Sequence, residues 1–135
     1  REGIRELGLE ERVAWAGPVD PARLPELYAS AFVHLNVSRT GSMDKTVLEA
    51  LACGCPVLTS NEAFEDLLAE HPSLFLRDDR PQTLAHRILA LHDREPIEAS
   101  ALRRLVVGHH DLESHVTRIL EQLGSLVEGR CASSS

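Results

Sequence analysis

Residues 38–60, SRTGSMDKTVLEALACGCPVLTS, hold the side chains of this sequence best suited to chemistry. A polar loop containing Gly41 and Ser42 runs into a helix whose first turn reads Asp44-Lys45-Thr46-Val47. The first amides of a helix have no intrahelical acceptor, and the helix dipole adds positive charge there, so such a turn attracts anions. Lys45 is the single lysine of the chain; every other basic residue is arginine. Across residues 38–48 Arg39 and Lys45 outnumber Asp44, which makes the loop locally positive in a chain of net charge −7. An ammonium beside a helix mouth suits a diphosphate. A solvated surface lysine is the plainer account of the same residue.

Glu49 lies one turn further along and shares a helix face with Lys45. A carboxylate accepts two hydrogen bonds in one plane, which matches the two hydroxyls of a ribose. Thr46 and Glu49 also have capping-box spacing, a reading that needs the helix to begin at Thr46. If Asp44 takes the N-cap position instead, Glu49 is left for a ligand.

Other constellations are weaker. Cys53-Gly54-Cys55 is too short for the two-plus-two pattern of a structural zinc site, and small residues at a helix end packing on a sheet account for it better. His109, His110 and His115 have no cysteine or carboxylate at ligand spacing and read as a helix boundary with surface histidines. No metal site is expected. His34, inside an apolar run, reads as a hydrogen-bonded side chain that is buried or half-buried. Glu65 and Asp66 are adjacent, so on a helix they point in different directions. The chain has no nucleophile elbow, P-loop or Gly-x-Gly-x-x-Gly motif, so hydrolase, NTPase and dinucleotide dehydrogenase readings fall and no cofactor is expected.

The elements that must carry these residues follow from periodicity and punctuation. Residues 1–7 read as the last turns of a helix stopped by Gly8. Val13-Ala14-Trp15 is a first strand ended by Gly17-Pro18, and Asp20 before Pro21 caps a helix with Leu24, Leu27, Tyr28 and Ala31 at helical spacing. Residues 32–37 form a second strand. The helix after the polar loop carries Val47, Leu48, Ala50, Leu51 and Ala52, with Gly54 as its stop and Pro56 beyond. Residues 56–60 and 74–76 are a third and a fourth strand, separated by a short helix with Phe64, Leu67 and Leu68. Leu84, Ile88 and Leu91 mark one further helix; Leu102, Leu105 and Val106 mark another. Leu112, Val116, Ile119, Leu120 and Leu123 mark a last one, an apolar stripe through which the protein could dimerise. Strands alternating with helices predict an α/β fold, a partial doubly wound (Rossmann-like) parallel sheet of about four strands with a helical carboxyl end. Ligands in such folds sit at the carboxyl ends of strands.

Composition sets the outer bounds. A chain of 135 residues, 43% hydrophobic and 26% charged, is one domain with a core rather than a disordered segment. Fourteen Lys and Arg against 21 Asp and Glu disfavour nucleic acid or an anionic membrane as partner. No run approaches the roughly 18 apolar residues of a membrane span, and no apolar signal region follows the start. Three cysteines, an odd number without secretory features, read as reduced thiols and a cytoplasmic location. The opening Arg1-Glu2-Gly3-Ile4 already looks helical, so the chain reads as part of something longer: a partial domain over residues 1–127, then a flexible tail over 128–135.

Residues 13 to about 91 resemble the carboxyl-terminal, donor-binding domain of group 1 retaining glycosyltransferases, of GT-B architecture. Three pieces carry the resemblance: RVAWAGPVDPARLPELYASAFVHLNVS, VLEALACGCPVLTS and FLRDDRPQTLAHRILAL. The second, similar to the family's Leu-Glu-Ala-x-Ala-x-Gly-x-Pro-Val block, is the most specific. The resemblance implies that a nucleotide sugar is the donor and that Glu49 holds its ribose. Amides near Lys45, Thr46 and Val47 then meet the diphosphate, and the backbone at Val19 contacts the base. The family's sugar-contacting glutamate falls at Gly41, and its Gly-Phe-Gly becomes Ser42-Met43-Asp44, so Asp44 or Ser42 is left to reach the sugar. No catalytic residue is assigned within the chain. The family's arginine and lysine that neutralise the leaving diphosphate, and its amino-terminal acceptor domain, belong to earlier segments. Two further readings share the fold: a non-catalytic nucleotide-sugar-binding or scaffold module, and a sugar-nucleotide epimerase.

Overall fold

The computed structural model describes residues 2–107. The expected helix over Leu112 to Leu123, the three histidines from His109 to His115, and the tail at 128–135 lie outside the described residues. Chain order is α1 (Glu2–Glu6), α2 (Leu24–Ser30), β1 (His34–Asn36), α3 (Lys45–Ala52), β2 (Val57–Thr59), α4 (Pro81–His92) and α5 (Ala99–Val106), with short 3₁₀ turns between them.

The centre is one parallel unit. β1 and β2 pair with His34 opposite Val57, Leu35 opposite Leu58 and Asn36 opposite Thr59, and α3 is the crossover between them. Parallel strands need such a connection because their ends lie at opposite edges of the sheet. The pairing extends by one residue beyond β2, where Thr59 bridges Phe75 in parallel and the Leu76 amide donates to the Thr59 carbonyl at 2.8 Å. Among the described residues the sheet therefore has two strands and a bridge. The expected fourth strand at 74–76 is reduced to that bridge, because Pro72–Leu74 is a 3₁₀ turn that occupies the start of the run.

The expected first strand is absent from residues 13–15. Trp15 is 62% exposed and Val13 36%, so burial, which would hold the segment beside β1, is small there. A run of three apolar residues closed by Gly17-Pro18 offers too little ladder to form without it. The helix expected after β2 is likewise a 3₁₀ turn, Glu62–Phe64, followed by further turns.

The core forms where α3 and β2 meet. Val47, Ala50 and Leu51 of α3 and Val57, Leu58 and Thr59 of β2 are fully buried, together with Phe64, Leu68, Leu74 and Leu102. All three residues of β2 are buried, the pattern of a parallel strand covered on both faces. α3 ends as Gly54 predicts. Gly54 takes φ +78°, the Cys55 amide donates to the Ala50 carbonyl and the Gly54 amide to the Leu51 carbonyl, both at 2.9 Å. This is the Schellman arrangement, which satisfies carbonyls the helix leaves open. Arg103 Nε of α5 donates to the Ala52 carbonyl at 2.8 Å and ties the same end to the last described helix.

Candidate functional site

The polar loop over residues 38–44 connects the carboxyl end of β1 to the amino end of α3, and buried side chains at the strand ends fix it. Asp44 occupies the N-cap position of α3, but its side chain makes no cap hydrogen bond. Its Oδ2 instead accepts from Asn36 Nδ2 and Ser38 Oγ, each at 2.8 Å, and from Asn61 Nδ2 at 3.4 Å. Hydrogen bonds from Asn36 and Ser38 favour the charged form and hold the Asp44 carboxyl below its ordinary range. Asn61, fully buried, also donates to the Ser42 carbonyl at 2.7 Å and accepts from the Ala63 amide at 3.1 Å. Thr59 Oγ1 donates to Asn36 Oδ1 at 3.1 Å and accepts from the Asn61 amide. Every member has a partner, as a buried polar network must if it is to be tolerated.

This network leaves the mouth of α3 open. The Lys45 and Thr46 amides have no acceptor among the described residues, whereas the Val47 amide donates to the Asp44 carbonyl at 3.1 Å. Two of the three amides singled out in the sequence are thus available to an anion, and the Val47 side chain is core. The helix begins at Lys45, so Thr46 does not cap it and the capping-box reading of Thr46 with Glu49 does not apply.

Glu49 and Lys45 lie together on the surface of α3. Lys45 Nζ is 3.3 Å from Glu49 Oε1, with side-chain exposures of 86% and 30%. Tyr28 of α2 donates its hydroxyl to Glu49 Oε2 at 3.4 Å, and partial burial together with that carboxylate raises the Tyr28 pKa. Behind Tyr28, His34 packs edge-on with ring centres 5.7 Å apart. The expectation that His34 is half-buried is met, but its Nε2 is buried without a hydrogen-bond partner, and burial lowers its pKa. Met43 is exposed, Gly41 has φ +67°, and Val19 is half-buried in the turn before Asp20. Asp20 caps the following 3₁₀ turn through the Ala22 amide at 3.0 Å, as its sequence position predicts.

Several contributors were missed in the sequence. Asn36, Thr59 and Asn61 hold the loop, and the only hint was a polar residue at the end of each apolar run. Arg39 forms a two-pronged pair with Asp79, Nε to Oδ2 at 3.0 Å and the second nitrogen to Oδ1 at 2.7 Å, which ties the loop to the segment before α4. Glu65 pairs with Arg77. A cavity of about 580 Å³ between that pair and α4 contains none of the residues singled out as candidate ligand contacts. Among the described residues no group of three histidine, cysteine or acidic side chains is placed to hold a metal ion, and no helix is long and apolar enough to cross a membrane. Cys53 and Cys55 are free thiols, Cys55 being buried.

A parallel β1–α3–β2 unit with an uncapped helix mouth beside its strand ends defines an α/β domain able to receive an anion. Within that class the chain belongs to the group 1 glycosyl transferases, whose family profile matches residues 1–94. It is 29% identical over 134 residues to the mannosylfructose-phosphate synthase of Agrobacterium fabrum (strain C58 / ATCC 33970), an alignment covering 96% of this chain and 29% of that protein. The chain thus spans under a third of the length of this relative. No solved structure matches it.

Proposed function

We propose that this chain forms the donor-binding part of a glycosyltransferase that moves a sugar from a nucleotide sugar to an acceptor with retention of configuration. The observation supporting this most is the open first turn of α3. Asp44 is drawn aside by Asn36, Ser38 and Asn61, and two free amides and the Lys45 ammonium stand at the mouth. The donor diphosphate lies on those amides. Glu49, one turn along, accepts from both ribose hydroxyls, and the backbone at Val19 meets the base.

The chemistry explains why an anion site matters. As the bond from the anomeric carbon to the phosphate oxygen breaks, its electron pair leaves with the diphosphate, and an acceptor hydroxyl forms the new bond while giving up its proton. Preset dipoles and a cation at the leaving group stabilise the charge that develops there. Lys45 and the α3 amides provide part of this. The remaining cations and the acceptor site belong to the parent protein outside this chain, and β1–α3–β2 belongs to the doubly wound sheet of a GT-B domain. The name of the related synthase makes a mannosyl group a reasonable first donor to test.

Calorimetric titration of the chain with UDP, GDP, UDP-glucose and GDP-mannose tests the reading. One of these nucleotides binds, and Lys45→Ala weakens it by about tenfold. The absence of binding by all four, or unchanged binding by the variant, refutes the donor site.

A further inference from the structure

We infer that Glu62 reads the hydroxyls of the group attached to the donor diphosphate, in a cavity that the Glu62 side chain lines. This rests on the donor-site reading above. The cavity has a volume of about 220 Å³, and its walls include Arg39, Ser60, Glu62, Glu65, Phe75 and Arg77. Three of its walls come from the carboxyl ends of parallel-paired segments. Arg39 is in the loop after β1, Ser60 follows β2, and Phe75 is the residue bridged to Thr59. Ligands of open α/β sheets occupy this crevice.

Gly41 faces the Glu62 carboxylate without crowding it. A β-carbon built on it would come 3.6 Å from Glu62 Oε1, so the carboxylate stands against the bare face of the glycine. Any larger side chain at position 41 would grow into space that Glu62 now commands. The backbone carrying Glu62 is fixed, because the preceding Asn61 is bound to Ser42 and Asp44. The neighbouring charges are paired, Arg39 with Asp79 and Arg77 with Glu65, and each guanidinium keeps further N–H groups beyond that pair. The Glu62 carboxylate has no hydrogen bond or ion pair among the described residues, although it lies near enough to Arg39 to act on its charge.

The lining selects the chemistry of the occupant. Two carboxylates and two guanidiniums leave the lining without the net positive charge a second phosphate needs, and an apolar group would strand four charged side chains without water. A neutral polyol fits, because each hydroxyl can donate to the carboxylate and accept from a guanidinium. At ~30 Å³ per water the cavity holds roughly seven waters, the scale of a single monosaccharide.

The test compares bare nucleotides with their sugar conjugates. The intact chain and its Glu62→Gln and Glu62→Ala variants are titrated with UDP, UDP-glucose, GDP and GDP-mannose, with circular dichroism as a folding control. Glu62 is exposed, so the variants fold. The expected result is a loss of roughly tenfold or more for the sugar conjugate, with the affinity of the matching diphosphate unchanged. Equal affinities of the variants and the parent chain for the sugar conjugate overturn the inference while leaving the diphosphate site intact. Equal weakening of diphosphate and conjugate also overturns it, since Glu62 would then act on the anion. Failure of the parent chain to bind any of the four overturns the donor-site reading and this inference with it.

Discussion

Asn36 Nδ2 donates to Asp44 Oδ2 at 2.8 Å, so the last residue of β1 holds the carboxylate at the head of α3 and keeps it off the helix amides. The same contact makes Asp44 a pH-dependent support. Its pKa is lowered from 3.8 by hydrogen bonds from Asn36 and Ser38. A folded-state value below the unfolded one means that the contribution is complete above the ordinary carboxylate range and disappears as pH falls through the folded value. Urea unfolding across an acid series is expected to show this loss in the parent chain and a flatter acid limb in Asp44→Asn.

His34 produces a separate loss at milder acidity. Burial lowers its pKa from 6.5, so protonation favours the unfolded chain. Its contribution is complete above the ordinary histidine value and declines as pH falls through the folded value. His34→Leu also removes a buried nitrogen that has no partner. We expect the variant to match or exceed the parent at neutral pH and to lose the mild-acid slope, read from unfolding midpoints.

Gly54 and Gly41 separate strain from collision. Both have positive φ, +78° and +67°. A β-carbon at Gly54 would also lie 2.5 Å from the Ala99 β-carbon, whereas at Gly41 the nearest atom is an ordinary contact. Gly41→Ala should cost about 1–2 kcal/mol from backbone strain alone. Gly54→Ala adds the overpacking penalty of roughly 1–3 kcal/mol, because α3 and α5 must part. Equal midpoints for the two variants in denaturant would contradict the close approach of these helices.

Glu49→Gln should separate ligand recognition from stability. Its pair with Lys45, whose ammonium is solvent-exposed, is worth at most about 1 kcal/mol to the fold. Hydrogen bonds from a ribose to a carboxylate are stronger, about 1.5–3 kcal/mol, so nucleotide affinity should fall by roughly tenfold or more. Tyr28→Phe removes only a 3.4 Å hydrogen bond to the same carboxylate and should have the smaller effect. Calorimetry with the best-binding nucleotide measures both.

What could be read from the sequence divides along physical lines. α3, α4 and α5 were legible because their apolar spacing and, for α3, the flanking Gly54 and Pro56 are local signals. Lys45 and Glu49 were placed together for the same reason, since helical spacing alone brings them within reach. Residues 13–15 misled because three apolar residues say nothing about whether a neighbouring strand exists to receive them. The network of Asn36, Asp44, Thr59 and Asn61 joins residues distant in sequence and depends on the register of β1 on β2. Glu62 beside Gly41 is of the same kind, a neighbour created by the crossover.

The two fastenings of α3 have a mechanical consequence. Its head is tethered to the tips of β1 and β2 through Asp44, and its tail abuts α5 at Gly54 and Arg103. A rod anchored at each extremity to different parts of the body cannot pivot on its own. The aperture of its leading turn is therefore fixed by the fold itself, and a guest bound there would lose little free energy to rearranging its host.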